Sequence, residues 1–470
     1  LSKKDSIIEA MAANMRPVFL TSFTTAIGFL SLNFSDTPPF HDLGNITAMG
    51  VTAAFLLSVT MLPALVTLLP FRKPKTIKKN ETPISTAMGS WVADNKKPVL
   101  FTTLFITVFL AVQIPKIELN DQFVDYFDDS IQFRVDTDYV MENLTGIYQV
   151  NYDLSSGESG GISNPGYLEK VEEFSQWLRT QPHVVHVSSI TDTFKRLNKN
   201  MHGDREEFYT LPTSRELAAQ YLLLYEMSLP YGLDLNNQVN IDKESTKVVI
   251  TFENLETKDL LASIDTIQAW LKNNAPVTMQ TLGSSPAIMF SYITERNVKA
   301  MLWGTLLAFG LITLILIVSL KSWKYGLISL LPNLIPATLA FGIWSLVVGR
   351  AGFAIAVVSS VTIGIVVDDT VHFLSKYVRA RREKGMNPKE AIEYAYSTVG
   401  AALIVTSVIL SIGFSVLMLS PFRMNATLGA LSAITIIVAL IADFTFLPAL
   451  LAILDKDKKT TSSESKKGNI

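Results

Sequence analysis

The stretch from Ala351 to Leu374 is long and apolar enough to cross a bilayer, yet two adjacent carboxylates, Asp368 and Asp369, stand inside it behind Gly364. An aspartate at the centre of a membrane helix costs about 2.5–3.5 kcal/mol on insertion scales. Two side by side are therefore not expected in a segment that only holds a bundle together, and the default reading of such a pair is an ion or proton pathway. Like charges in a poorly hydrated place favour keeping a proton on at least one of them, which brings reversible protonation within reach of neutral pH. The competing reading puts the pair near one end of its helix, reaching water. Lys376 lies seven residues beyond Asp369, about 10 Å along a helix, so partial hydration is compatible with either reading.

The rest of the chain agrees with a membrane location. Hydrophobic residues make up 49% and charged residues 17% of the sequence, well below the roughly 25% charged residues of soluble domains. Without cysteine, disulfides and thiolate metal sites are excluded. Uncharged runs near the bilayer-spanning length predict eight transmembrane helices, at 17–35, 43–71, 98–115, 300–320, 325–349, 351–374, 398–420 and 427–453. Lysine and arginine concentrate in the 72–97 linker, the 375–397 loop and the 455–470 tail, which assigns these three to the cytoplasm. Pro332 and Pro336 flank Asn333 near one end of the fifth helix, predicting a kink that is either a fixed bend or a hinge.

Between residues 116 and 297 the sequence changes character, with 27 acidic against 14 basic residues. This insert reads as a soluble extracytoplasmic domain. Strands are expected at 146–154 and 184–190 around a helix at 165–180, on which Leu168, Val171, Phe174 and Leu178 share a face. The pattern recurs as a strand at 247–253, a helix at 258–272 and a strand at 277–282, with a further helix at 213–229 between the copies. An α+β sandwich of the ferredoxin-like kind is the expected packing. The segment 286–297 reads as an amphipathic lead-in to a helix starting near Met301.

The first seventy residues and the last eighty repeat one another in a single register, offset by 385. Thr21 and Ser22 match Thr406 and Ser407; Ile27, Gly28 and Phe29 match Ile412, Gly413 and Phe414; Leu62, Pro63, Ala64 and Leu65 match Leu447, Pro448, Ala449 and Leu450. Hydrophobic composition alone does not keep register through two helices and a loop. The halves are related by a parallel repeat, with 1–71 ending one half and 98–115, 116–297 and 298–454 forming the other. A preceding portion with four more helices and a second outer domain is expected.

With these features in place, the chain resembles the resistance-nodulation-division superfamily, in the branch of MMPL-type, hopanoid-transporter-like and Patched-like proteins. The resemblance rests on the inserted outer domain, the LPNLIP stretch from Leu331 to Pro336, the GIVVDDTVHF stretch from Gly364 to Phe373, and the paired LPAL endings. It implies an α-helical polytopic membrane protein with eight of twelve helices present, using a proton gradient to move a lipid or other hydrophobic molecule. Asp368 and Asp369 match the intramembrane acidic pair and become the expected proton carriers. No lysine is expected deep in a span, which fits the lipid-handling branch. Further implied are a bacterial inner-membrane location with 116–297 in the periplasm, and a periplasmic or outer-membrane carrier or a second copy of the chain as partners.

His372 follows Asp368 by four residues and Asp369 by three, so it lies beside both on a helix and can pass protons or simply hydrogen-bond at the interface. Asp443 stands alone in the last helix, either as a partner of the acidic pair or as a helix-packing group; its repeat counterpart is Ser58. Ser359, Ser360 and Thr362 line a water path or allow close helix contact. Gly364 is expected to admit a neighbouring helix. The five histidines are too dispersed for a zinc site, and no nucleotide-binding loop or nucleophile-base arrangement is present, so neither metal, cofactor, enzymatic chemistry nor a nucleic-acid partner is expected. Two other functions fit the same helices: a sterol-sensing or lipid-binding regulator without net transport, and an accessory to protein export.

Overall fold

A computed structural model describes residues 3–69, 84–119, 122–230, 235–352 and 354–455. The basic residues expected at 72–79 and in the tail beyond Asp455 lie outside them. The chain divides into two units, Leu1–Glu118 with Arg296–Ile470, and Leu119–Glu295.

The first unit is a bundle of apolar helices. Among the described residues, eight helical segments have the length and composition to cross a membrane: Lys3–Phe34, Pro38–Leu68, Lys96–Lys116, Pro286–Leu320, Trp323–Val347, Ala354–Glu383, Pro388–Leu419 and Arg423–Leu454. We refer to them as the first to eighth spans. Several run beyond the apolar runs of the sequence. The fourth helix begins at Pro286 and not near Met301. The expected 375–397 loop is mostly helix, since the sixth span continues to Glu383 and a capping box at Asn387 and Glu390 starts the next helix at Pro388. Charged residues do not end a helix, and Lys376, Arg379, Arg381 and Arg382 simply continue the sixth span's hydrogen-bond ladder. The fifth span breaks at Ser329, between Trp323–Ile328 and Leu330–Val347. Pro332 therefore falls in a first helical turn, where its missing N–H costs little, while Pro336 lies inside the helix.

The repeat extends to three dimensions. Adding 385 to the bounds of the first span, Lys3–Phe34, gives those of the seventh, Pro388–Leu419. Equivalent glycines do equivalent work: a Cβ on Gly44 would lie 2.6 Å from the Phe29 carbonyl oxygen, and one on Gly429 would lie 2.5 Å from that of Phe414. Each glycine lets the second helix of its hairpin touch the backbone of the first.

The second unit is built on a three-stranded antiparallel sheet, with Ser245–Phe252 in the centre between Tyr148–Ser155 and Val184–Ser188. Val150 pairs with Ile250 and Tyr152 with Val248, and the alternation buries Val150, Tyr152 and Leu154 completely. Helix Pro165–Arg179, capped by the Asn164 side chain, buries Leu168, Val171, Phe174 and Leu178 against it. Helix Thr257–Asn274 adds Leu260, Ile264, Ile267 and Leu271, and Trp270 stacks with Trp177 beside Phe174. The helix expected at 213–229 is Arg215–Ser228. The strand expected at 277–282 is not formed: a 3-10 turn, Val277–Met279, takes its place, and only Ser284 bridges to Asn151. Pro276 and Pro286 bracket this short segment, leaving little length for a ladder.

Candidate functional site

The acidic pair is positioned by a backbone contact between the first and sixth spans. A Cβ on Gly28 would lie 2.8 Å from Gly364 Cα, and one on Gly364 would lie 3.1 Å from both Thr25 Cα and its carbonyl oxygen. Only glycine on both sides permits this approach, as small residues do at membrane helix interfaces. The contact carries Thr25 onto Asp368: its hydroxyl lies 2.9 and 3.1 Å from the two carboxylate oxygens and 3.1 Å from the Gly364 carbonyl. On the other flank, the Ser407 hydroxyl of the seventh span donates to Asp369 Oδ2 at 2.9 Å. The two carboxylates are thus held by one hydroxyl each, from the two spans that the sequence repeat relates.

Consecutive side chains on a helix point about 100° apart, yet Asp368, Asp369 and His372 all line one cavity of about 260 Å³, closed opposite by Ala402, Leu403 and Ser407 of the seventh span. That volume has room for several waters, at about 30 Å³ each in the liquid. A π-helical turn, Tyr396–Gly400, precedes this wall and contributes Val399 to it; such turns recur at functional sites. His372 makes no hydrogen bond or ion pair among the described residues, so its ring is available to the cavity. Among the described residues no cation forms an ion pair with either carboxylate. One lysine in the sixth span is nonetheless buried: Lys376, 6% exposed, whose ammonium donates to Asn14 Oδ1 at 2.9 Å. It lies past the apolar run that ends at Leu374, so its burial comes from the helix and its packing continuing beyond that run.

Asp443 does not join the acidic pair through a hydrogen bond. It is fully buried, and its Oδ1 lies 2.8 Å from the Thr370 hydroxyl, which is also 2.8 Å from Asn333 Oδ1. Asp443 Oδ2 is buried without a partner. Thr370 has a single hydrogen to give, and two oxygens face its hydroxyl. The accounting closes if the Asn333 amide is turned over, or if the Asp443 carboxyl carries a hydrogen and donates it to Thr370. The fifth, sixth and eighth spans are joined at this point, and Asn333 is placed there by the start of the helix Leu330–Val347. Thr445, two residues beyond Asp443, bonds the Ile441 carbonyl of its own helix.

The hydroxyls ahead of the motif are buried. Ser359 and Thr362 return their hydrogens to carbonyls of their own helix, while Ser360 bonds Thr305 of the fourth span at 2.8 Å. Thr25, Ser407 and Thr370 were not singled out by the sequence, in which hydroxyl residues within apolar helices are too common to stand out. Among the described residues no group of three His, Asp or Glu side chains converges as metal ligands.

A bundle of eight membrane-spanning helices around an acidic pair that lines a cavity, with a second unit inserted after the third span, defines a multi-pass membrane protein. The chain belongs to the MMPL family, whose model matches residues 1–99 and 186–468. It is 25% identical over 305 residues to a membrane protein of Methanocaldococcus jannaschii, covering 64% of this chain and 74% of that protein. Its fold is shared with the hedgehog release protein Disp of the water bear Hypsibius dujardini, at a TM-score of 0.61 and 14% identity over 93% of this chain. It is shared also with SecDF in its super-membrane-facing form, at a TM-score of 0.53 and 11% identity over 97% of this chain. The chain spans 58% and 50% of these two proteins.

Proposed function

We propose that the protein uses a proton gradient to move a lipid or other hydrophobic molecule across or out of the membrane. The observation that carries this reading is the pairing of each intramembrane carboxylate with a single neutral hydroxyl beside a shared cavity. A carboxylate held this way has no fixed counter-charge, and the cavity beside it has room for the water through which a proton comes and goes. His372 extends the cavity's titratable lining by one turn and serves as the relay between Asp369 and the basic end of the span. Asp443, Thr370 and Asn333 form a second station that joins the eighth and sixth spans to the fifth, and gain or loss of a hydrogen on Asp443 reverses the direction of its hydrogen bond with Thr370. The break at Ser329, ahead of Pro332 and Pro336, is then the place where the fifth span swings.

The energy source in this reading is the gradient, with no cofactor. A bacterial inner membrane, with the 116–297 domain on the periplasmic side, is the location that fits the charge distribution. A periplasmic or outer-membrane carrier, or a second copy of the chain, is the natural recipient of the cargo. The reading is tested by following a fluorescent lipid analogue in vesicles containing the protein under an imposed pH gradient. Movement that stops on adding a protonophore is expected. Movement that continues unchanged removes the gradient from the mechanism, and lipid binding with no movement at all selects the regulatory alternative. Co-purification with a translocation channel, without lipid movement, selects the accessory role in protein export.

A further inference from the structure

A second cavity, of about 290 Å³, lies between the first, fourth and sixth spans, well removed along the sixth helix from Asp368. Four cations line it, Arg16, Lys376, Arg379 and Arg382, against one acid, Glu383. Two of the four are committed elsewhere: Arg379 pairs with Glu383 at 2.7 Å, and Arg382 donates to the Leu320 and Lys321 carbonyls. The other two have no counter-ion. Lys376 is buried and bonded only to the neutral Asn14 amide, and Arg16 makes no hydrogen bond or ion pair among the described residues. Burying an ammonium without an anion costs several kcal/mol, and an anion in this cavity would remove that cost.

The surroundings say what kind of anion. The cavity walls are membrane spans, and these spans expose apolar side chains close in sequence to the lining residues, Phe19 three residues beyond Arg16 on the first and Leu314 and Val318 within six residues of Leu320 on the fourth. A cationic recess bordered by apolar, outward-facing helix surface matches a molecule with a charged head and hydrocarbon tails. Basic pockets between membrane helices on the cytoplasmic side bind anionic head groups by the same logic. We propose that this cavity holds the phosphate headgroup of an anionic phospholipid from the leaflet facing the basic loops, with Lys376 and Arg16 as its main cationic contacts. Lys376 places the headgroup about one helical turn beyond His372, at the basic end of the sixth span.

The test is a thermal-melting titration of the protein in detergent with added dioleoylphosphatidylglycerol, dioleoylphosphatidylcholine or inorganic phosphate. Phosphatidylglycerol is expected to raise the melting temperature to a plateau, with phosphatidylcholine and inorganic phosphate leaving it unchanged. Arg16→Gln and Lys376→Gln are each expected to shift the phosphatidylglycerol midpoint about fivefold to higher concentration. Arg16 makes no hydrogen bond or ion pair among the described residues, so its variant keeps the test readable if Lys376→Gln is poorly folded. An equal response to phosphatidylcholine, a full response to inorganic phosphate, or an unshifted midpoint in Arg16→Gln would overturn the proposal.

Discussion

Asp368→Asn is expected to reduce gradient-driven lipid movement to the level of vesicles without protein, while expression and melting temperature stay close to wild type. The reason lies in what the substitution keeps. An asparagine has the same size and still offers an oxygen to the Thr25 hydroxyl, which is 2.9 Å from Asp368 Oδ1. The Gly28 and Gly364 contact that places Thr25 is untouched. What is lost is the capacity to bind and release a proton. Normal transport by a folded Asp368→Asn protein would remove this carboxylate from the mechanism. Asp369, held separately by Ser407, gives the comparison that distinguishes which member of the pair carries the proton.

The largest effect on stability is expected at Asp455, just past the eighth span. Four donors converge on its carboxylate: Lys324 at 2.8 Å on Oδ1, and Tyr325, Tyr377 and Arg381 at 2.8–2.9 Å on Oδ2. Burial alone raises the pKa of this group, but the hydrogen bonds from Lys324, Tyr377, Tyr325 and Arg381 outweigh it and hold the value at about 2. Asp455→Ala strips the common acceptor from two buried tyrosine hydroxyls and two cations. Removing one partner of a buried ionic cluster costs about 3–5 kcal/mol, and Lys324 is half-exposed, so the lower end is expected here. Thermal denaturation near neutral pH checks this, and an unchanged midpoint would mean that solvent already satisfies the cluster. The pH dependence has a defined sign. The folded value lies below the unfolded one of about 3.9, so the stabilisation is complete above pH ~4 and is lost as pH falls through about 2. The difference between wild type and Asp455→Ala should narrow over that acidic window.

Much of this architecture is legible in the sequence because bilayer solvation leaves few alternatives. A span must be a long apolar run, and eight such runs become eight helices. The repeat is legible for a different reason: glycines that meet a backbone, such as Gly44 and Gly429, cannot drift without a clash, so the register survives. Helix ends are less legible. The sixth span runs on to Glu383 through lysine and arginine, and composition marks where hydrocarbon ends, not where a helix ends. For the same reason the burial of Lys376 against Asn14 is invisible in one dimension, since it depends on the first span crossing there. The carboxylates announce themselves by their cost, whereas Thr25, Ser407 and Thr370 carry no such cost in a helix, where a hydroxyl can always bond its own backbone. Asp443 is intermediate: its charge stands out, but its partners come from two other spans. In the soluble unit, alternation revealed the strands with one buried face and overcalled 277–282, where apolar residues fall in a turn.

The central claim is that Asp368 and Asp369 carry protons across the bundle. The most direct measurement places the protein in liposomes loaded with a pH-sensitive dye and follows internal pH after an imposed gradient, for wild type, Asp368→Asn and Asp369→Asn. Proton flux above that of empty liposomes in wild type, lost in Asp368→Asn, is the predicted result; flux that is equal in wild type and both variants, or absent from wild type across a panel of lipids, would contradict it.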